Sequence, residues 1–281
     1  MSRIHYQDIV DKVREACIEA NYSLSKDVMA AYEKALETEK SPLGQEVLIQ
    51  IMENARIADK EGMPLCQDTG LAVFFVEVGQ DVSIVGGLLN DAINEGVRQG
   101  YHAGYLRKSV VQDPIFERRN TSDNTPAIIH TEIVAGDRLK MMLDIAGGGC
   151  ENMAALKMLR PADGLEGVKH FVVETVRNAG ANPCPPVIVG VGIGGDFEKV
   201  AMLAKKALLR PVGQPNPKLE VAALEEDLLK RVNQLGIGPV GLGGVVTALA
   251  VHIETHPCHI ASLPVAVNLG CHSSRHKSIN L

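Results

Sequence analysis

Three of the six cysteines stand where a thiolate could be aimed into a cleft rather than packed into a core. Cys66 lies in Pro64-Leu65-Cys66-Gln67-Asp68-Thr69-Gly70, Cys184 in Asn182-Pro183-Cys184-Pro185-Pro186, and Cys271 in Asn268-Leu269-Gly270-Cys271-His272. Each is a turn made by Pro or Gly at the mouth of an apolar segment. Proline has no backbone N–H to offer and glycine lets the backbone come close, so such turns suit a metal group whose sulfides also need backbone donors. The intervals of 118 and 87 residues match no short zinc or ferredoxin spacing, so spacing alone leaves a shared site open. Cys17 shares a helical stripe with Ile9, Val13, Ala16 and Ala20 and reads as a small buried hydrophobe. Cys150 follows three glycines and Cys258 lies between Pro257 and His259, so on local grounds either could be a further ligand.

Other residues gain interest from these turns. Asp68 is placed by the chain itself near whatever Cys66 holds, and Gln67 can donate to a carboxylate oxygen. Arg107, in Tyr105-Leu106-Arg107-Lys108-Ser109, could clamp a carboxylate or be an ordinary solvated side chain. Gly149, just before Glu151, suits either a helix N-terminus that accepts an anion or a plain strand-to-helix turn. His259 beside an apolar strand has an everyday structural reading.

The elements that must position these residues alternate in type. Ser41-Pro42 predicts an N-cap and first-turn proline opening a helix to about Asp59, stopped by Gly62 and Pro64. Leu71 to Val78 reads as a strand, Val85 to Arg98 as a helix, and Ile128 to Ile145 as two strands joined at Ala135-Gly136-Asp137. After Gly147-Gly148-Gly149 the pattern predicts a helix to about Arg160, then helices over Val168–Arg177, Phe197–Leu209 and Leu219–Leu235. An apolar run covers Val187–Val191, Gly213–Lys218 is a loop, and two further apolar segments end at Cys271. The expected fold is α/β, with mixed sheets flanked by helices in two lobes sharing one site, all within a single domain over residues 1–281.

Composition narrows the function. At 281 residues and 46% hydrophobic the chain can bury a sizeable core. A net charge of −6 and only 4% aromatic residues argue against a nucleic-acid surface or an anionic membrane as partner. Neither a signal-peptide apolar stretch near the N-terminus nor an unbroken membrane-length apolar run is present, so a cytoplasmic location is expected, where thiols stay reduced.

Taken with Asp123-Asn124-Thr125-Pro126-Ala127, Gly147-Gly148-Gly149, Gly192-Ile193-Gly194-Gly195 and Asn268 to Lys277, the cysteine turns give a chain that resembles the alpha subunit, or N-terminal catalytic part, of class I iron-sulfur fumarate hydratases and the related L-tartrate dehydratases. The resemblance implies that Cys66, Cys184 and Cys271 hold a 4Fe-4S cluster, leaving one iron without a thiolate to act as a Lewis acid on the substrate's hydroxyl. It implies catalytic roles for Asp68 and His259, and substrate contacts from Gln67, Asp68, Arg107 and Gly149. Reversible hydration of fumarate to (S)-malate is the expected reaction, with L-tartrate dehydration as the alternative. The family carries further arginines, a lysine and a threonine on a C-terminal domain that nothing here resembles. A separate beta polypeptide is therefore expected, with two alpha and two beta chains by analogy. Two positions depart from the pattern: Cys150 stands where the family usually has Ser, and Val245 where relatives are often basic.

Two rival readings remain. Gly190-Val191-Gly192-Ile193-Gly194-Gly195 fits the dinucleotide glycine pattern, but the zone where a ribose-binding acid should end a second strand is the proline-rich stretch Pro211–Lys218. A non-catalytic iron-sulfur scaffold or sensor would explain the cysteines but not Gln67, Asp68 and Arg107.

Overall fold

The structure is a computed structural model describing residues 2–281. In chain order its elements are β1 (Ser2–His5), α1 (Tyr6–Tyr22), α2 (Lys26–Thr38), α3 (Pro42–Glu61), β2 (Leu71–Gly79), β3 (Val82–Val85), α4 (Leu89–Ala103), β4 (Ile128–Val134) and β5 (Leu139–Ala146). There follow α5 (Gly148–Glu151), β6 (Ala155–Leu159), α6 (Gly164–Ala179), β7 (Val187–Gly194), α7 (Phe197–Ala207), α8 (Leu219–Asn233), β8 (Ala248–His256), β9 (Leu263–Gly270) and β10 (His276–Asn280). Among the described residues no helix is long and apolar enough to cross a membrane.

The chain divides into two compact units, one built from residues up to Leu24, Asn54–Gly148 and Arg275–Leu281, the other from Ser25–Glu53 and Gly149–Ser274. In the first, a mixed sheet of order β10-β5-β2-β4 is buried under α1 and α4, and a short parallel pair joins β1 to β3. The α1–α4 contact is close because glycine permits it. A Cβ on Gly96 would stand 2.5 Å from that of Val13, and one on Gly100 2.8 Å from that of Cys17. Burial pushes the Cys17 thiol up to about 12, so this cysteine is an inert core residue, as its helical stripe predicts.

The second unit is a mixed sheet of order β6-β9-β7-β8, covered by α6 and α8 on one core and α7 on a smaller one. The glycine pattern that mimics a dinucleotide fingerprint has a packing reason here. A Cβ on Gly190 or Gly192 would come within 2.2 Å of a backbone carbonyl of α7, so the strand and helix touch backbone to backbone. The N-terminus of α7 is already occupied by the Asp196 side chain, which accepts the Lys199 N–H at 2.8 Å. Residues 211–218 carry no strand.

Ser41 caps α3 as expected, its hydroxyl accepting the Gly44 N–H at 3.2 Å. The segment after the triple glycine departs from expectation. Instead of a helix to Arg160 there is one turn, α5, and then β6. Residues Ala155 to Leu159 pair antiparallel with Val267 to Leu263 of β9, so sheet hydrogen bonding overrides their helical propensity. Strands β1, β3 and β10 also lie outside the expected set, and α4 starts at Leu89 because Val82–Val85 extends to pair with β1.

One buried carboxylate fixes much of the second unit. Glu39, 2% exposed, ends α2 and accepts backbone N–H groups from Lys40, Ser41, Val245 and Val246 at 2.8 to 3.1 Å. Burial alone would raise its pKa, but the N–H groups of Ser41, Val246, Val245 and Lys40 together hold it below the usual 4.5. A folded pKa below the unfolded value means stabilisation that is full above about pH 4.5 and lost as pH falls through the folded pKa. Glu39→Gln is therefore expected to cost about 2 kcal/mol in urea unfolding at pH 7, and clearly less at pH 3. Equal losses at both pH values would show that the charge contributes nothing.

Candidate active site

In the first unit the Cys66 turn is braced from three sides. Leu65 N–H bonds to the Asn21 carbonyl at 2.8 Å, and Asn54 donates to the Leu65 carbonyl at 2.9 Å. The fully buried Tyr101 hydroxyl donates to the Thr69 and Gly70 carbonyls. Asn124, also fully buried, donates to the Gly70 carbonyl at 3.1 Å and accepts the Ser109 N–H at 2.6 Å. The Thr69 hydroxyl donates to the Arg107 carbonyl at 2.7 Å, which fastens the segment bearing Arg107 to the loop bearing Cys66, Gln67 and Asp68.

Asp68 is held with its carboxylate oriented. Oδ1 accepts the Gly70 N–H at 3.0 Å and Oδ2 the Gly148 N–H at 2.8 Å, so the second glycine of the triple run touches this carboxylate directly. The main chain of Asp68 is fixed by Arg275, 3% exposed, which donates to the Asp68 carbonyl and to Asn21 Oδ1. Gln67 is exposed with its Oε1 3.3 Å from Cys66 Sγ, and the Arg107 side chain is exposed.

In the second unit two cysteine turns meet. His272 N–H donates to the Cys184 carbonyl at 3.1 Å, its Nδ1 lies 3.3 Å from the same oxygen, and Cys271 Sγ is 3.1 Å from the buried Ser273 hydroxyl. Cys184 is exposed, with φ at 52°, and Cys271 is half-buried. Gly149 and Cys150 reach the same turn. A Cβ on Gly149 would lie 3.0 Å from the Asn182 carbonyl, and the buried Cys150 thiol donates to the Pro183 carbonyl at 3.6 Å. The single-turn α5 makes Gly149 part of a tight turn, not the start of a long helix. Val245, whose N–H is held by Glu39, leaves its side chain exposed in a glycine-rich loop. That loop bonds back to the cysteine turn, Val240 N–H donating to the Pro185 carbonyl at 2.8 Å.

His259 is not gathered with Cys184 and Cys271. It lies with Cys258 in the exposed β8–β9 loop, its Nδ1 accepting the Ala261 N–H at 3.1 Å. The register puts His256 opposite Gly194 at one end of β7, whereas Gly270 faces Ile188 at the other. The eight residues of β7, at about 3.3 Å each, set roughly 25 Å between those ends. Within one chain Cys258 therefore lies past the opposite end of β7 from Cys184 and Cys271.

Among the described residues no group of three or more His, Cys, Asp or Glu stands ready to hold a metal ion. The donor chemistry nonetheless fits an iron-sulfur group. All six cysteines are thiols rather than disulfides, and Cys66, Cys184 and Cys271 are solvent-reachable on turns, unlike Cys17.

The bracing residues Asn124 and Arg275 lie inside the motifs Asp123–Ala127 and Asn268–Lys277, whose pattern carries no sign of these contacts. Tyr101 carries no local signal, because a tyrosine on an apolar helical stripe looks like core until its hydroxyl partner is seen.

The sequence profile of the family described as Fumarate hydratase (Fumerase) matches residues 10–280. A Methanocaldococcus jannaschii protein bearing the provisional name L(+)-tartrate dehydratase subunit alpha is 42% identical over 95% of each chain. An Escherichia coli L(+)-tartrate dehydratase subunit alpha is 35% identical over 100% of this chain and 94% of its own. The Shigella sonnei protein of the same name is 35% identical over 98% and 92%. With a profile match over nearly its whole length and relatives of this similarity, the chain belongs to the fumarate hydratase (Fumerase) family of hydro-lyases.

Proposed function

We propose that this chain is the cluster-bearing alpha subunit of a hydro-lyase interconverting fumarate and (S)-malate, with Cys66, Cys184 and Cys271 holding a 4Fe-4S cluster. The observation that carries the reading is the bond from His272 to Cys184, which draws together two thiol-bearing turns 87 residues apart. When bound, such a cluster supplies an iron with an open position that polarises the substrate's hydroxyl. The remaining work falls to protein groups. Asp68, oriented by Gly70 and Gly148 N–H, contacts substrate and handles the proton on the adjacent carbon. Gln67 donates to a carboxylate oxygen, Arg107 clamps a carboxylate by a bidentate fork, and Gly149 lets the backbone approach the substrate. The thiols suit a reducing cytoplasm.

The second reading is L(+)-tartrate as substrate, favoured by the names of the relatives above. Tartrate and malate differ by one hydroxyl, so an anaerobic assay with both, and with fumarate, separates the two by which is turned over.

Anaerobically prepared protein is expected to be brown, with one cluster per chain by iron and sulfide analysis. Ser replacement of Cys66, Cys184 or Cys271 should abolish the colour, while Cys258→Ser should keep it. A colourless Cys258 variant would overturn the ligand set.

The relatives are named alpha subunits, which supports a separate beta polypeptide that supplies the rest of the clamp and excludes water. The chain alone, cluster intact, is expected to be inactive and to gain activity in proportion to complex formed on adding the beta chain. Full activity without it would remove the two-polypeptide reading.

In a complex with two copies of each chain, the length of β7 supports the reading that a catalytic His259 serves the cluster of the other copy. His259→Asn and Cys184→Ser chains, each inactive alone, should then restore roughly a quarter of wild-type activity when co-expressed, since half the dimers are mixed and each has one whole site. No recovery in verified mixed dimers would deny His259 that role.

A further inference from the structure

We propose that Tyr32 is a positioning residue that sets the Cys184–Cys271 pair before any metal group is bound, a role that rests on the cluster reading above. Tyr32 lies on α2, is fully buried, and with Tyr101 is among the largest fully buried side chains of the described residues. A phenol removed from water must place its single hydroxyl, and Tyr32 gives it to the His272 carbonyl at 2.5 Å. That carbonyl belongs to the peptide joining His272 to Ser273. The N–H on the other side of the His272 Cα donates to the Cys184 carbonyl at 3.1 Å. Both peptides flanking this one residue are thus pinned, one to α2 and one to the Cys184 turn, and each bond fixes the direction of the next.

Two further contacts depend on the same peptide. Ser273, 2% exposed, carries the hydroxyl that lies 3.1 Å from Cys271 Sγ, so holding the His272–Ser273 peptide also holds the group that orients this thiol. At the C-terminal end of α2, Glu39 grips Val245 and Val246, and their loop returns through Val240 to the Pro185 carbonyl next to Cys184. Helix α2 therefore reaches the cysteine pair by two routes, of which the phenol is the shorter. Tyr32 acts on the pair through the His272 carbonyl and is given no part in proton transfer.

The test compares Tyr32→Phe, which removes only the hydroxyl, with Val28→Ala, which loosens the packing of the same helix at a fully buried position and leaves the Tyr32 hydroxyl in place. Groups that orient metal ligands change metal affinity about tenfold to a hundredfold when removed. In the anaerobic holo-complex, Tyr32→Phe is expected to lose iron to a chelator about tenfold faster and, after one-electron reduction with dithionite, to show a changed electron-resonance line shape. Val28→Ala should lower the melting temperature while leaving both unchanged. If the two variants differ from wild type only in melting temperature, Tyr32 is simply core and the proposal fails. If the wild type itself holds no cluster, the cluster reading fails, and the pair is probed by Cd2+ titration of the apo chain in a Cys258→Ser background. About tenfold weaker thiolate-to-cadmium absorption binding for Tyr32→Phe, with none for Val28→Ala, sustains the positioning role. Equal binding overturns it.

Discussion

The bond between the His272 N–H and the Cys184 carbonyl is the constraint on which the second unit's chemistry depends. It joins the segment entering β7 to the segment leaving β9, neighbouring strands that run antiparallel. Because β7 and β9 pair over six residues, from Ile188 with Gly270 to Ile193 with Val265, the two turns stay at one end of these central strands whatever happens in the loops at the other. The sheet acts as a ruler: it brings Cys184 and Cys271 together and sets His259 a strand length away. Backbone geometry decides this, which explains how two cysteines so far apart in sequence can serve one group.

Both units solve the same local problem. A turn that carries a reactive side chain exposes carbonyls and N–H groups that must be satisfied without covering the side chain itself. In the first unit Tyr101, Asn124 and Arg275 bond the carbonyls of Asp68, Thr69 and Gly70 from below, and the Asp68 carboxylate ties down Gly148. In the second, Tyr32 and Glu39 do this work from α2. Buried polar groups under exposed, chemically active turns give rigidity where rotamer freedom would otherwise blur the geometry.

Sequence reasoning reached the reactive turns because Pro, Gly and Cys in fixed order leave a local signature. It separated Cys17 from the others because a helical apolar stripe is a local pattern too. What it missed is non-local. The stretch Ala155 to Leu159 has helix-favouring residues and becomes a strand only because β9 offers it an edge. The bracing tyrosines look like core, since nothing near them in sequence says where a hydroxyl will point. His259 could be marked as interesting, but its distance from Cys184 and Cys271 follows from strand register, which appears only when β7, β8 and β9 are paired.

The division of the chain carries a consequence for its biosynthesis. Residues are contributed alternately to the two units, and both sheets need strands from the same late stretch: β9 lies inside one, between β6 and β7, and β10 closes the edge of the other against β5. Neither sheet can be finished on the ribosome until the segment from Leu263 to Asn280 has emerged, and Cys271 lies within that segment. A growing chain therefore cannot assemble the thiol pair early and expose it, half-supported, to stray metal or oxidant. The last of the three cysteine turns and the last strand of each sheet arrive together, so formation of the thiol pair is coupled to completion of the scaffold that holds it.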